Sequence, residues 1–556
     1  MKKILCLILS LSLLLGCAAV AEETASGLQK DLVILFTSDV HCGVDQGWGY
    51  AGLYAMKEGL SRKNHVLLVD DGDALQGEPV GTMTRGESIV NIMNTLRYDV
   101  AIPGNHDFDY GMDRFFELTW RANFPYISCN FNRNGELLFR PWLMKEVDGV
   151  KIAFVGVTTP MTPRSSTPKY FMNEAGEYIY RFMENEPAEK LYEAIQKSVD
   201  EARAEGAAYV ILLAHLGNET ECIPWTYADV LSHTSGIDAM LDGHSHDTDQ
   251  VVMKNKDGKD VVRSACGTKL AHIGALTITP SGEISSKLYS WNQDIDATTL
   301  LNLQNPAADA VRAETEVLYE KLAEVVATST VDLVLYDPVE KTQDGKSVRI
   351  IRKKETNLGD FIADAYLDQA GDADIAFING GGIRAEIGKG DVTLNDILRV
   401  HPYGNYLTVI RVTGQQVLDA LEWSVHAMPG EFGGFNHVAG LTYEVDYSLP
   451  NPCKEDQNAM FDHVDEAMER RIRNVRVQGR PIDPEAFYKL ASHDYQLLKN
   501  GDGYTMYAGS EVLQQSVKLD NQLLIDYITG TLNGVVGEGY EDPYGQGRFT
   551  VVHSAE

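Results

Sequence analysis

The chain has 556 residues, 44% of them hydrophobic and 23% charged, the composition of a folded globular protein rather than of a disordered, collagen-like or disulfide-dense chain. At about 100–200 residues per domain, that length predicts two or three domains. Eighty acidic side chains against forty-eight Lys and Arg leave a formal charge of −32. This removes long-range attraction to nucleic acid or an anionic bilayer as a driving force, so a phosphate-bearing ligand must be held by local cations.

Lys2 and Lys3 precede an apolar run from Ile4 to Leu15, too short to span a bilayer and built like the core of a secretory signal. Leu14-Leu15-Gly16-Cys17 has the form of a bacterial lipobox, which would remove 1–16 and put a lipid anchor on Cys17. Ala19-Val20-Ala21 fits ordinary signal peptidase, which would remove 1–21. Either reading predicts a protein outside the cytoplasm: periplasmic, secreted or lipid-anchored at the cell surface. Beyond Cys17 the five cysteines, Cys42, Cys129, Cys222, Cys266 and Cys453, are odd in number and scattered, so buried thiols are expected rather than a disulfide framework.

A first domain, 28–297, reads as alternating strands and helices. Leu32 to Phe36, Val66 to Val69, Ile152 to Val157, Tyr209 to Leu213 and Ile237 to Leu241 are short, nearly continuous apolar runs, as in a sheet covered on both faces. Between them, Pro187 to Ala204 carries Leu191, Ile195 and Val199 four apart on one helical face, with Gly206 as the stop. This βα alternation predicts an α/β layered domain. A linker helix is expected over 305–328, with Val311, Leu318, Leu322 and Val325 at helical spacing. A second α/β domain, 332–552, restarts the pattern with strands at Ile375 to Ile378 and Leu407 to Val412. Its helix after Thr413 begins with a Thr413/Gln416 capping box. The charged stretch from Asn451 to Asn474 reads as an inserted loop and helix.

Five loops of the first domain carry metal-binding groups, and four of them directly follow an apolar strand. They hold Asp39 and His41, Asp73, His215, and His244 with His246; the fifth is Gly104-Asn105-His106-Asp107. Taken singly, each has an ordinary reading as a turn carboxylate, an Asx turn or a core histidine. Together they are oxygen and imidazole donors at the carboxyl ends of strands, where an open α/β sheet gathers residues distant in sequence. Without thiolates the set suits Mn, Zn, Fe or Co. Seven donors exceed what one ion needs and imply two divalent metal ions, with Asp73 as the natural bridge.

Asp39-x-His41, Gly72-Asp73, Gly104-Asn105-His106-Asp107, His215 and Gly243-His244-Ser245-His246 resemble the ordered blocks of calcineurin-like metallophosphoesterases. With Asp109, Asn379-Gly380-Gly381-Gly382-Ile383-Arg384 and Gly501-Asp502-Gly503-Tyr504, the chain is similar to the 5′-nucleotidase family that includes UDP-sugar hydrolases and 2′,3′-cyclic-nucleotide phosphodiesterases. The resemblance implies an N-terminal αββα metallophosphoesterase sandwich, a linker helix and a C-terminal α/β substrate domain. It assigns Asp39, His41, Asp73 and His246 to one ion and Asp73, Asn105, His215 and His244 to the other. His106 and Asp109 would be the catalytic pair, facing a phosphate attacked by metal-activated water. Arg352 and Arg384 would hold the phosphate or carboxylate-like side, Asn379 and Asp502 the base or ribose, and Tyr403 and Tyr495 would stack on the base.

The implied activity is hydrolysis of nucleoside 5′-monophosphates. Cyclic nucleotides and UDP-sugars are the alternative substrates, and a surface binding protein with a vestigial site is the alternative of another class. A small nucleotide is the expected partner, with no nucleic-acid polymer and no membrane contact beyond the Cys17 anchor. The sequence departs from the family at three points. Tyr403 and Tyr495 stand where Phe is frequent, the Tyr495 to Asp502 spacing is one residue longer, and His246 stands where some members have Gln or Asn. Cys42, beside His41, is either an inert buried thiol or a redox-sensitive neighbour of the metals.

Overall fold

The computed structural model describes residues 27–184, 187–219, 222–291, 304–342, 345–515 and 518–553. The expected signal segment and Cys17 lie outside them. The N-terminal domain is built on two sheets. One has the strand order Ile284–Ser290, His272–Ile278, Leu32–Thr37, His65–Asp70, Val100–Ala101. The other runs Thr248–Lys254, Asp260–Cys266, Ala239–Asp242, Tyr209–His215, Val150–Thr158, Trp142–Val147. The central neighbours are parallel, as the apolar runs require; Leu32–Thr37 pairs with His65–Asp70, and Tyr209–His215 with both Val150–Thr158 and Ala239–Asp242.

Alternation along these strands divides the core into layers. Ile34, Phe36, Val69, Phe154, Ile211, Leu213 and Leu241 fill the space between the sheets. Val33, Leu35 and Leu68 face the helices Gly49–Ser61, Glu87–Leu96 and Met112–Arg121. Val155, Val210 and Leu212 face Ala188–Ala204 and Tyr227–His233. The result is a helix, sheet, sheet, helix sandwich. Its parallel strands deliver their carboxyl ends to one edge.

The helix expected over 305–328 ends earlier. Asn305 caps it through Ala308 N–H at 2.8 Å, it spans Pro306–Leu322, and it lies on the helices Gly49–Ser61 and Glu87–Leu96. Val325, placed on its apolar face by spacing, instead begins the strand Val325–Ser329, paired with Gly390–Thr393. Ala323 closes the helix, and the β-branched run that follows finds a partner strand, which outweighs its helical period.

The C-terminal domain has a mixed sheet ordered Asn436–Ala439, Ile375–Asn379, Phe487–His493, Leu407–Thr413, Glu511–Gln514. Ala376 and Ile378 pack toward the helix Asn357–Gln369, and Ile375 and Phe377 toward Gly414–Ser424. The latter helix starts at the Thr413/Gln416 capping box read from the sequence. The stretch from Asn451 to Asn474 is not a helix. It forms the hairpin Cys453–Glu455 and Phe461–Val464, then enters the strand Ile472–Val477. Asp456 accepts from Asn458 N–H and Met460 N–H to make the turn, while Phe461, Val464 and Ile472 bury against the Trp423 core. The two domains meet where Leu394–Val400 packs on Pro79–Thr84. Thr82 Oγ1 donates to Pro402 O at 2.7 Å, and Arg399 pairs with Glu78 at 3.3 Å.

One apolar anchor bears directly on the cleft. The single turn His106–Phe108 is pinned by the fully buried Phe108, whose ring centroid lies 4.3 Å from Phe115, 5.2 Å from Phe131, 5.4 Å from Phe182 and 5.5 Å from Phe171. Phe108→Ala is expected to destabilise the N-terminal domain by about 3–5 kcal/mol, read as a lowered thermal midpoint. An unchanged midpoint would contradict this anchoring role.

Candidate active site

The loops at the strand ends are sharply bent. Asp39, His41, Asp73, His244 and His246 have φ of 51°, 44°, 59°, 83° and 56°, a left-handed region that non-glycine residues rarely adopt and that surrounding structure must impose. The glycines beside them allow close approach: a Cβ on Gly104 would stand 2.2 Å from Asp73 Oδ1, and one on Gly243 2.7 Å from Asp39 Oδ2. Asp107 ties two loops together. Its carboxylate accepts from Gly104 N–H at 2.8 Å, Leu75 N–H at 3.0 Å and Asp73 N–H at 3.2 Å.

All seven candidate metal-binding residues come together. His215 Nδ1 donates to Asp71 O at 2.7 Å, so in the neutral ring Nε2 carries a lone pair. That lone pair faces Asp73 Oδ2 at 3.2 Å and Asn105 Oδ1 at 3.2 Å, an arrangement that needs a positive charge among the three atoms. His41 Nδ1 likewise donates to Gln76 O at 2.9 Å, turning Nε2 toward His246 Nε2 at 3.2 Å and Asp73 Oδ2 at 3.8 Å. His246 Nε2 lies 3.5 Å from Asp39 Oδ1, and His244 Nδ1 2.9 Å from Asn105 Oδ1. Asp39, His41 and His246 form one compact ligand set, and Asp39, Asp73 and His215 another. Asp39 thus belongs to both sets, while Asp73 Oδ2 reaches both His41 and His215.

The electrostatics agree with this donor chemistry. Burial disfavours a charge on His215, yet Asp73 and then Asp39 outweigh it and lift the group to about 10. The protein alone would place a proton where a cation fits. His41, where burial dominates over Asp73, falls to about 3 and stays a neutral donor. The residues therefore fit divalent ions, with backbone carbonyls fixing the tautomers of His41 and His215. A third set, Glu219, Cys222 and His244, was not foreseen, because no motif links it. Cys42 is buried, with burial and the carboxylates of Glu78 and Asp107 raising its thiol well above the ordinary range.

His106 sits beside the cluster. Its N–H donates to Asp73 Oδ1 at 2.7 Å, and its ring Nδ1 meets Asp109 Oδ2 at 2.7 Å. Burial opposes a charge on this imidazole, but Asp109 and Asp73 together raise its pKa. The six residues expected in recognition, Arg352, Asn379, Arg384, Tyr403, Tyr495 and Asp502, line one cavity of about 340 Å³ together with His106, Asp109, Asn105, Asp73, His244 and His246. Asp39, His41 and His215 lie directly behind. The Tyr403 ring centroid stands 6.0 Å from that of His106, so the C-terminal domain reaches the metal-binding cluster.

At the other side of the cavity, Asn379 Nδ2 donates to Asp502 Oδ2 at 2.5 Å, and Tyr495 OH donates to Asp502 Oδ1 at 3.1 Å. The Tyr495 ring lies flat on Gly501, 2.3 Å from where a Cβ would stand. Burial, with Arg349 and Arg384 nearby, brings the Arg352 guanidinium down to about 10. Arg164, Ser166, Tyr170, Phe432 and Lys499 also line the cavity. They carry no motif, and only the packing of the two domains assembles them.

Residues 32–248 match the calcineurin-like phosphoesterase family, and 325–509 the 5′-nucleotidase C-terminal domain. The chain belongs to the 5′-nucleotidase family. It is 25% identical to a 5′-nucleotidase of Vibrio cholerae over 93% of each chain. It is 28% identical to a trifunctional nucleotide phosphoesterase of Bacillus subtilis and 26% identical to an endonuclease of the same organism, of whose lengths it spans 32% and 38%. Among solved structures, the 5′-nucleotidase precursor of Thermus thermophilus superposes with a TM-score of 0.73 at 26% identity, over 94% of this chain and 100% of that one.

His493 supports Asn379. Its Nε2 donates to Asn379 Oδ1 at 2.8 Å, and its Nδ1 accepts from Gln496 N–H at 3.2 Å. Burial lowers its pKa to about 4, below the unfolded value of about 6.5. As pH falls from 6.5 to 4 the unfolded chain takes up a proton that the folded chain refuses, so stability is lost in that window at up to about 1.4 kcal/mol per pH unit. Acid unfolding should be shallower in His493→Gln than in the wild type across pH 6.5 to 4. Equal slopes would contradict a neutral His493.

Proposed function

We propose that the protein is an extracytoplasmic 5′-nucleotidase that hydrolyses nucleoside 5′-monophosphates to nucleoside and phosphate. The observation that carries this reading is the single cavity joining the Asp39–His41–Asp73–Asn105–His215–His244–His246 cluster to Arg352, Arg384 and the Asn379–Asp502–Tyr495 group. Its volume of about 340 Å³ suits a small molecule. Asp39, His41, Asp73 and His246 would hold one divalent ion, and Asp73, Asn105, His215 and His244 the other. When bound, two such ions polarise the phosphoryl oxygens and activate water.

The chain's own residues do the rest. His106, held at Nδ1 by Asp109, turns its other nitrogen to the phosphoryl group and offsets charge on the leaving oxygen. Arg384 and Arg352 orient phosphate oxygens. Asn379 and Asp502 hold ribose or base, and Tyr403 with the exposed face of Tyr495 covers the base. The leader at Lys2 to Ala21 supports a site outside the cytoplasm, with Cys17 as the lipid-bearing residue if the lipobox is used. A vestigial binding protein would have lost a ligand, and all seven are retained.

Phosphate release from AMP should vanish with chelator and return with Mn²⁺ or Zn²⁺. If AMP is untouched while 2′,3′-cyclic AMP or a UDP-sugar is cleaved, the monophosphate reading is replaced by those substrates. Asp73→Ala should lose bound metal. His106→Ala should retain it while turnover falls about 100- to 1000-fold, and equal metal loss in both variants would refute the separate roles.

A further inference from the structure

The segment after the strand Val150–Thr158 makes one short helical turn, Thr162–Ser165, and its C-terminal end borders the catalytic pair. It is firmly tied to the cluster's scaffold. Thr159 N–H donates to His215 O at 2.9 Å, Thr162 Oγ1 donates to Thr159 O at 2.7 Å, and Ser166 N–H closes the turn on Thr162 O at 3.0 Å. Ser165, which ends the turn, and Ser166, which caps it, contact one residue on each side of His106 in the chain, Asn105 and Asp109. Ser165 O accepts from Asn105 Nδ2 at 3.4 Å, and Ser166 Oγ donates to Asp109 Oδ1 at 2.7 Å.

We propose that Ser166 is a positioning residue of the catalytic pair, its hydroxyl fixing the Asp109 carboxylate that orients His106; this rests on the roles given above to His106 and Asp109. A carboxylate held by one partner can still turn about its Cβ–Cγ bond. Asp109 is held on both oxygens, Oδ2 by His106 Nδ1 at 2.7 Å and Oδ1 by Ser166 at 2.7 Å, so its plane is set and the imidazole plane with it. Ser166 is 2% exposed at the edge of the cavity. Its hydroxyl has to donate here, because an ionised carboxylate only accepts. That leaves Asp109 an acceptor on both sides and puts a proton on His106 Nδ1, with Nε2 directed at the substrate. From this turn Asn105 is reached by the backbone carbonyl of Ser165 and not by its side chain. Ser166→Ala therefore removes the Asp109 contact and leaves the Asn105 contact standing.

The test is a double-mutant cycle on the metal-loaded full chain, with kcat, KM and bound metal measured for wild type, Ser166→Ala, Ser166→Thr, Asp109→Asn and the Ser166→Ala/Asp109→Asn pair. AMP and p-nitrophenyl phosphate are both used as substrates. Loss of one charge-assisted hydrogen bond predicts a fall in kcat of roughly tenfold for Ser166→Ala, with KM within about twofold and metal content unchanged. Ser166→Thr, which keeps the hydroxyl, should recover most of the rate, and Ser166→Ala should add nothing once Asp109 is Asn. A full kcat in Ser166→Ala, the same fractional loss in both backgrounds, or loss of metal would each overturn the proposal. Cleavage of p-nitrophenyl phosphate without AMP cleavage would sink the nucleotide reading alone, since the cycle is then read on the simpler ester. A chain that cleaves neither would overturn both.

Discussion

The His215 lone pair, held between the Asp73 carboxylate and the Asn105 carbonyl, is the constraint on which the rest of the structure depends. A neutral imidazole between two oxygen acceptors, fully buried, is tolerable only when a proton or a cation stands among them. Without a cation the carboxylates load His215 with a proton and lift it to about 10. Burial, with Asp73 adding to it, pushes Asp39 the opposite way, to about 7, against the pull of His215. The cluster is thus short of positive charge, and its two compact ligand sets share Asp39. Such a centre gains from divalent ions what an isolated buried carboxylate would lose.

Holding those donors at fixed places costs backbone freedom. Five of the seven donor-bearing residues have positive φ, and the surrounding layers impose it. The sheet cores lock the strand ends, Asp107 cross-links the Asp73 and Gly104 loops, and Phe108 plants the next turn in a nest of phenylalanines. Small residues are needed where loops cross, which is why Gly104 and Gly243 stand against the carboxylates. Preorganisation of this kind keeps catalytic groups from reorganising during reaction.

Net charge pulls against binding a phosphate ester, and the C-terminal domain answers locally. In a chain of formal charge −32, the cavity gathers Arg349, Arg352, Arg384 and Lys499 from the C-terminal domain and Arg164 from the N-terminal one. Burial first, and then the neighbouring Arg349 and Arg384, lower the Arg352 guanidinium, so an anion entering beside it offsets that repulsion. Contacts such as Arg399 with Glu78 and Thr82 with Pro402 hold this cationic wall opposite the acidic cluster. Most of the cavity's cationic groups therefore come from the C-terminal domain.

The strands, the α/β class and the metal-binding loops were legible because buried strands leave continuous apolar runs, and because Asp, Asn and His at their ends have little packing value. The order of the motifs carried the family. Local signals were less secure where partners lie far away. Val325 has helical spacing but pairs with Gly390–Thr393, and the charged stretch from Asn451 forms a hairpin because Phe461 and Val464 find the Trp423 core. No pattern in the chain points to Ser166 beside Asp109, to Asp107 as a cross-link, or to His493 beside Asn379. Sequence by itself determined which residues could bind metal and phosphate, since that is a property of side-chain chemistry and of strand position. Only the tertiary structure decided which lone pairs face one another and which residues hold the donors, because those distances arise from packing between segments that the chain keeps tens to hundreds of residues apart.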